Sequence, residues 1–398
     1  MIDPRRAEMK VLYDHQVFEE QNFGGISRYF MELFSGNSGF EAEIAVKYSD
    51  NLHLLSHPSF RDRIQPFRTD AGDFLWGFNF RGKNRLYDLT SQILRRPKPG
   101  ATNLENSLTS LASGHSDVFH PTYFNPYFLE SLGNQPFVLT VFDMIHEVFP
   151  EHIPLTDSTS QRKQILCERA TRIVAISHST KKDLIEHFRI NPDKIDVVYL
   201  ANSLKGADPT NREGNSPSDR YILFTGNRGG YKNFFFFVQV IADILVKNDS
   251  LKLVCTGHPF GAEEKSFFEK HSIAHLVEHC AVSDSELASL YAGAEMFVFP
   301  SLYEGFGMPT LEAFACECPV LLSNTPAMKE IAGDAAIYFH PKSVSELRAA
   351  VYKVLEDDDL KRTLVDRGLQ RVSRFSWQKT GLETAEVYRR VLDSRNRD

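Results

Sequence analysis

Pro300-Ser301-Leu302-Tyr303-Glu304-Gly305-Phe306-Gly307-Met308-Pro309-Thr310-Leu311-Glu312 follows the apolar run Met296-Phe297-Val298-Phe299. The run has the composition of a buried strand, two glycines mark a turn, and a helix is predicted to begin near Met308 with Pro309 in its first turn. A strand that passes through a glycine-bearing turn into a helix is the building unit of an open parallel sheet. In such sheets ligands sit beyond the carboxyl ends of the strands, where a helix N-terminus offers free N–H groups and partial positive charge to an anion. Gly305 and Gly307 would let a ligand approach the backbone.

The same alternation runs outward in both directions. The second half predicts strands at 221–225, 251–256, 277–280, 296–300, 320–323 and 336–339, and the first half at 10–13, 42–46, 118–120, 137–142, 172–176 and 196–198. Helical patterns fill the gaps, for example at 26–34 and 179–188, and the phenylalanines at 234–237 open an apolar helix. The fold class is therefore α/β, with doubly wound parallel sheets. At 398 residues the chain exceeds one ordinary core. Residues 1–205 form one expected domain and 220–376 a second, joined by a polar linker at 206–219 that has almost nothing to bury. A last helix at 377–398 carries Trp377, Leu382, Ala385, Tyr388 and Leu392 at helical spacing, and is expected to cover the first domain.

Hydrophobic residues at 42% and charged residues at 24% are the proportions of a water-soluble globular chain, and a net charge of −7 argues against a nucleic-acid partner. The five cysteines, at 167, 255, 280, 316 and 318, are odd in number and set among apolar residues, as in a reduced protein. Cys316-Glu317-Cys318 lacks the spacing of a zinc or redox pair, so no metal site is expected. The opening MIDPRRAEMK has no signal-peptide core, and no run of about 18 apolar residues occurs, so a cytoplasmic location is expected. Residues 74–85 and Arg95-Arg96-Pro97-Lys98 mix aromatics with cations, which suits either peripheral docking on the inner face of the membrane or ordinary packing.

A second string, Phe224-Thr225-Gly226-Asn227-Arg228-Gly229-Gly230-Tyr231-Lys232-Asn233, again runs from strand through glycines to helix. It is not a Walker A loop, but Arg228 and Lys232 beside free amides would suit a diphosphate. Ser177-His178-Ser179-Thr180 lacks the glycine elbow of a nucleophilic serine and is read as a helix cap.

Taken together, the two strings resemble the retaining glycosyltransferases of family 4, whose GT-B fold sets two Rossmann-like domains facing a cleft. Glu304 and Glu312, with seven residues between them, match that family's pair of glutamates. The resemblance implies a nucleoside diphosphate sugar as donor substrate, with no bound cofactor and no metal. It implies that Glu304 binds hydroxyls of the donor sugar and Glu312 the ribose. Arg228 and Lys232, with the Gly226-Asn227 turn and the amides of Gly305, Phe306, Gly307 and Met308, would hold the diphosphate. Val282 and Ser283 would lie by the base. Gly24 and Gly25, in Gly24-Gly25-Ile26-Ser27-Arg28-Tyr29, look like the family's first-domain glycine loop. In Thr140-Val141-Phe142-Asp143-Met144-Ile145-His146-Glu147, Phe142 stands where many relatives have histidine, which makes His146 the nearest substitute as the sugar contact, with His120 second.

The longer string around the first-domain glycine loop is similar to bacterial O-antigen and capsule glycosyltransferases, often mannosyltransferases. The implied reaction is retaining transfer of mannose from GDP-mannose to a hydroxyl of a growing surface glycan, free or lipid-linked. A UDP-sugar donor, a nucleotide-sugar epimerase or hydrolase, and a non-catalytic nucleotide-sugar binder are the alternatives. Replacing Glu304 or Glu312 by alanine should lower turnover at least tenfold, the cost of roughly one charge-assisted hydrogen bond. The secondary structure seen by circular dichroism should be unchanged, and normal turnover in both variants would remove the site assignment.

Overall fold

The computed structural model describes residues 9–35, 39–67, 99–204, 220–248 and 250–395. The linker expected at 206–219 and the aromatic-cationic stretches at 74–85 and 95–98 lie outside them. Twelve strands are present: β1 Met9–Tyr13, β2 Phe40–Ile44, β3 Val118–His120, β4 Val138–Val141, β5 Arg172–Ala175, β6 Ile195–Val197, β7 Arg220–Phe224, β8 Leu251–Cys255, β9 Val277–His279, β10 Met296–Phe299, β11 Val320–Ser323 and β12 Ile337–Phe339. Each strand predicted from the apolar runs is found, its ends displaced by at most about two residues, the usual uncertainty of element boundaries.

By its internal contacts the chain divides into two units: Met1–Thr140, Ser158–Val174 and Gly381–Asp398 form one, and Val141–Asp157 with Ala175–Thr380 the other. This differs from a first domain ending at 205. The difference has a physical cause in the second unit. Helix His178–Phe188 receives both carboxylate oxygens of Glu330 on the amides of His178 and Ser179, at 2.6 and 2.9 Å. The hydroxyls of Ser177 and Thr180 donate to the Gly305 carbonyl at 2.6 and 3.3 Å.

The second unit contains a six-stranded sheet in the order β12-β11-β10-β7-β8-β9, with every neighbouring pair parallel. The chain moves outward from β7 to β9, then returns to the other side of β7 at β10. The order reverses between β7 and β10, and the loops leaving these two strands adjoin at that switch point. Phe224, Phe234, Phe237 and Phe268 pack with Ile222, Leu253 and Val298 beneath one face. Phe234 and Phe237 are thus core residues because they sit on the inward stripe of helix Phe234–Val246.

In the first unit β2-β1-β3 form a parallel sheet. Strands β4, β5 and β6 make a third sheet in that order. A buried polar chain crosses the core of the first unit. Tyr13 Oη lies 2.7 Å from Tyr388 Oη, which lies 2.6 Å from His120 Nδ1; His120 Nε2 is 3.0 Å from Thr140 Oγ1, itself 3.2 Å from Tyr29 Oη. Both ring nitrogens of His120 are engaged and the residue is fully buried, so it belongs to the core and is not a sugar contact. Helix Trp377–Arg395 supplies Tyr388, and its residues from Gly381 onward cluster with this unit.

All five cysteines are free, and only Cys280 is partly exposed. Among the described residues no cluster of histidine, cysteine and carboxylate side chains is placed to hold a metal, and no helix is long and apolar enough to cross a membrane.

Burial pushes the His120 imidazole down to about 3. The unfolded chain, whose histidines titrate near pH 6.5, therefore takes up the proton more readily than the folded one. The contribution is full above about pH 6.5 and is lost as pH falls toward 3, at about 1.4 kcal/mol per pH unit. Urea midpoints measured from pH 7 to 4 should fall accordingly, and less steeply for His120→Asn.

Candidate active site

The loop leaving β7 is tied to the end of β10 before any charged group is considered. Asn233 adopts a left-handed backbone with φ of 58°, and its side-chain amide donates to the carbonyls of Pro300 at 3.1 Å and Pro341 at 2.7 Å. The Leu302 amide donates to the Tyr231 carbonyl at 2.7 Å. These bonds bring Lys232 and Glu304 together, with Nζ to Oε1 at 2.6 Å, both side chains mostly buried at 15% and 11% exposure. Burial acts against the Lys232 ammonium, but the Glu304 carboxylate, helped by Tyr231 and Asp143, outweighs it and holds the group above the ordinary lysine value. The ammonium also lies 5.1 Å from the ring centres of Tyr231 and Phe299. Lys232 therefore stays charged at neutral pH, at a place where water is largely excluded.

Beyond Glu304 the loop turns into helix Met308–Ala315, capped by Gly307 at a φ of +92° that only glycine adopts without strain. Glycine is required at 305 for another reason. A Cβ there would lie 3.0 Å from the Phe142 carbonyl carbon and 3.2 Å from Asp143 Cα, and would overlap the Phe142 oxygen. Gly305 thus serves a contact with the protein's own backbone, while a Cβ at 307 would meet the side chain of Met328. The amides of Gly305, Phe306, Gly307 and Met308 have no acceptor among the described residues.

Glu312, one turn into the same helix, is buried and accepts from Tyr291 Oη at 3.2 Å. Tyr291 Oη is also 3.1 Å from Thr225 Oγ1, directly after β7. Burial, then the Glu312 charge, pushes the Tyr291 phenol well up, so it remains a donor. Both glutamates are thereby linked to the β7 loop, Glu304 through Lys232 and Glu312 through Tyr291.

Arg228 is placed differently from the expectation of a cation presented to a diphosphate. Its Nε pairs with Glu264 Oε1 at 2.5 Å, Nη1 donates to the Thr256 carbonyl at 2.9 Å, and Nη2 donates to the carbonyls of His258 and Pro259. Its guanidinium packs over Phe260 at 4.8 Å. Four of the five donor hydrogens are thus consumed in buckling the β8 loop to the β7 loop. Gly226, at φ +91° with nothing within 4 Å of its absent Cβ, and Asn227, which accepts the Gly229 amide at 3.1 Å, line a cavity of about 390 Å³ with Arg228, His258, Glu263 and Glu264.

His146 lies on the short helix Ile145–Val148, its Nε2 3.9 Å from Asp157 Oδ2 and its buried Nδ1 without a hydrogen-bond partner among the described residues. It belongs to the same unit as Lys232 and Glu304, because Val141–Asp157 clusters there. Ser283 caps helix Asp284–Gly293 in a reciprocal box with Glu286, and Val282 precedes it, half-buried. Gly24 and Gly25 open helix Gly25–Ser35 in the first unit, where the Gln21 side chain occupies the space beside Gly24. Ser177 is the cap of helix His178–Phe188, accepting the Thr180 amide at 3.0 Å. Tyr303, Tyr291, Asn233 and Asp183 were not singled out from the sequence, although Tyr303 and Asn233 lie inside the two quoted strings.

Residues 79–201 match the family described as Glycosyltransferase Family 4, and residues 209–371 match Glycosyl transferases group 1. The chain belongs to the family 4 glycosyltransferases and has their GT-B fold. Over 226 residues it is 32% identical to an MMP alpha-(1→4)-mannosyltransferase of Mycolicibacterium hassiacum, covering 55% of this chain and 54% of that protein. Over 288 residues it is 27% identical to O-antigen chain mannosyltransferase B of Escherichia coli, covering 68% and 74%. The chain thus spans about half the length of the first relative. Among solved structures, sucrose-phosphate synthase from Thermosynechococcus elongatus superposes with a TM-score of 0.72 over 98% of this chain and 100% of that one, at 17% identity, a likeness of fold.

Gly305→Ala should force the loop off the Phe142 carbonyl. Overpacking of this kind costs about 1–3 kcal/mol, so the melting temperature should drop by roughly 2–10 °C, with a matching loss of activity because Glu304 is the adjacent residue.

Proposed function

We propose that this protein is a retaining glycosyltransferase that moves mannose from GDP-mannose to a hydroxyl of a growing bacterial surface glycan. The observation that carries the reading is the Lys232–Glu304 pair at the switch point, beside the N-terminus of helix Met308–Ala315. A buried ammonium next to unengaged amides is the setting in which a diphosphate gains most. Each charge-assisted hydrogen bond contributes about 1.5–3 kcal/mol, and a helix N-terminus adds about 0.3–1 kcal/mol.

On arrival of the donor, Lys232 would exchange Glu304 for the diphosphate, which frees Glu304 to accept hydroxyls of the hexose. Glu312, already oriented by Tyr291, would accept from the ribose. The bond from the anomeric carbon to the phosphate oxygen breaks with its electron pair leaving on the diphosphate, where Lys232 and the amides of 305–308 stabilise the growing charge. The acceptor oxygen bonds to the anomeric carbon on the face vacated, and its proton passes to the departing phosphate oxygen. No protein nucleophile is needed, and the two glutamates serve binding. Arg228 would act by holding the shape of the β7 loop, with one N–H left for the donor. Mannose as the sugar is supported by the printed activities of both relatives.

Thermal shift with GDP, UDP, dTDP and ADP, each with and without its sugar, tests the donor. A ligand at 100 times its Kd adds about 2.7 kcal/mol of stability. GDP and GDP-mannose are expected to raise Tm, and NMR of the product should show the donor's anomeric configuration. A response to UDP alone would move the donor, and consumption of donor without an acceptor would favour a hydrolase or epimerase.

A further inference from the structure

We infer that Tyr303 is a positioning residue of the donor site, its hydroxyl fixing the turn at 143–146 against the loop that carries Glu304. The inference rests on the donor reading proposed above. Tyr303 stands between Leu302, bonded to the Tyr231 carbonyl, and Glu304, paired with Lys232. Its Oη donates to Asp183 Oδ2 at 2.6 Å and accepts from the Met144 amide at 3.2 Å. Met144 is the cap residue of helix Ile145–Val148, the helix that carries His146. The ring rests edge-on against Phe149, with centroids 6.2 Å apart.

Three pieces of chain, around 144, 183 and 303, therefore meet at a single oxygen that has one hydrogen to give and gives it to a carboxylate. The lone pair left toward the Met144 amide then has a fixed direction. Burial, followed by the Asp183 charge, pushes the phenol far above its ordinary range, so the hydroxyl keeps its proton at every working pH. Phenylalanine would fill the same space and keep the contact with Phe149. The hydroxyl is thus what the packing alone does not require, and what it holds is the spacing between His146 and Glu304, the two side chains assigned to the hexose. Tyr303 acts through these residues and is not itself assigned a contact with substrate.

Tyr303→Phe tests this. Hydrogen–deuterium exchange should accelerate in a peptide covering 142–149 while β10 remains protected. The Kd for GDP should stay within about twofold, and kcat with GDP-mannose should fall roughly tenfold to a hundredfold, the scale of a small misplacement of reacting groups. Asp183→Asn, which still offers an oxygen to the hydroxyl, should retain more activity than Asp183→Ala; this pair replaces Tyr303→Phe if that variant does not fold. Unchanged exchange at 142–149, or faster exchange with a wild-type kcat, would overturn the inference. If the unaltered protein binds no nucleotide sugar, the donor reading fails instead, and the exchange experiment still decides whether Tyr303 holds the turn.

Discussion

The loop after β10 runs so near the backbone of Phe142 and Asp143 that no side chain fits at 305. This close approach is the constraint on which the second unit is organised. It joins a segment from early in the chain to the loop bearing Glu304, and hydroxyls from Ser177 and Thr180 close on the same Gly305 carbonyl. A backbone contact of this kind fixes position more tightly than side-chain packing, since neither partner has a rotamer to change. The charged groups are built on that base: Lys232 meets Glu304 only because Asn233 and Leu302 have already tied the β7 loop to the end of β10.

The mutual neutralisation of Lys232 and Glu304 also explains how two charges tolerate burial. Either alone would carry a large desolvation cost, and removing one partner strands the other. A ligand bringing both negative phosphate and hydrogen-bond-donating hydroxyls satisfies each member separately, whereas a ligand with only one of these leaves a charge unmatched. In the proposed reading the pair would thus select for the combination found in a nucleotide sugar, beyond attraction to anions in general.

Much of this was legible in the sequence because strand runs, glycine turns and helix starts are local signals. The twelve strands follow from apolar runs of buried parallel type, and Glu304 and Glu312 stand out by their spacing around a helix start. The hidden features depend on distant partners. Nothing near Arg228 in the sequence announces Glu264 or the carbonyls of 256, 258 and 259 that absorb its donors. The allegiance of 141–157 to the second unit was equally invisible, since it turns on the missing side chain at 305. A glycine signals close approach without naming what approaches, and at 305 it is the protein's own backbone.

The polar chain through Tyr13, His120 and Tyr388 has a consequence for how the molecule is made. His120 and Tyr388 are 268 residues apart, and Tyr13 and Tyr388 are 375 apart. At synthesis rates of about 5–20 residues per second, the strands of the first sheet exist for roughly 10–50 s before their closing helix leaves the ribosome. The six-stranded sheet of the second unit is drawn from consecutive segments between Arg220 and Phe339 and is complete before that helix is made. The sheet that is translated first is therefore the one closed last, with Phe40, which packs edge-on against Tyr388 at 5.2 Å, lacking that cover in the interval.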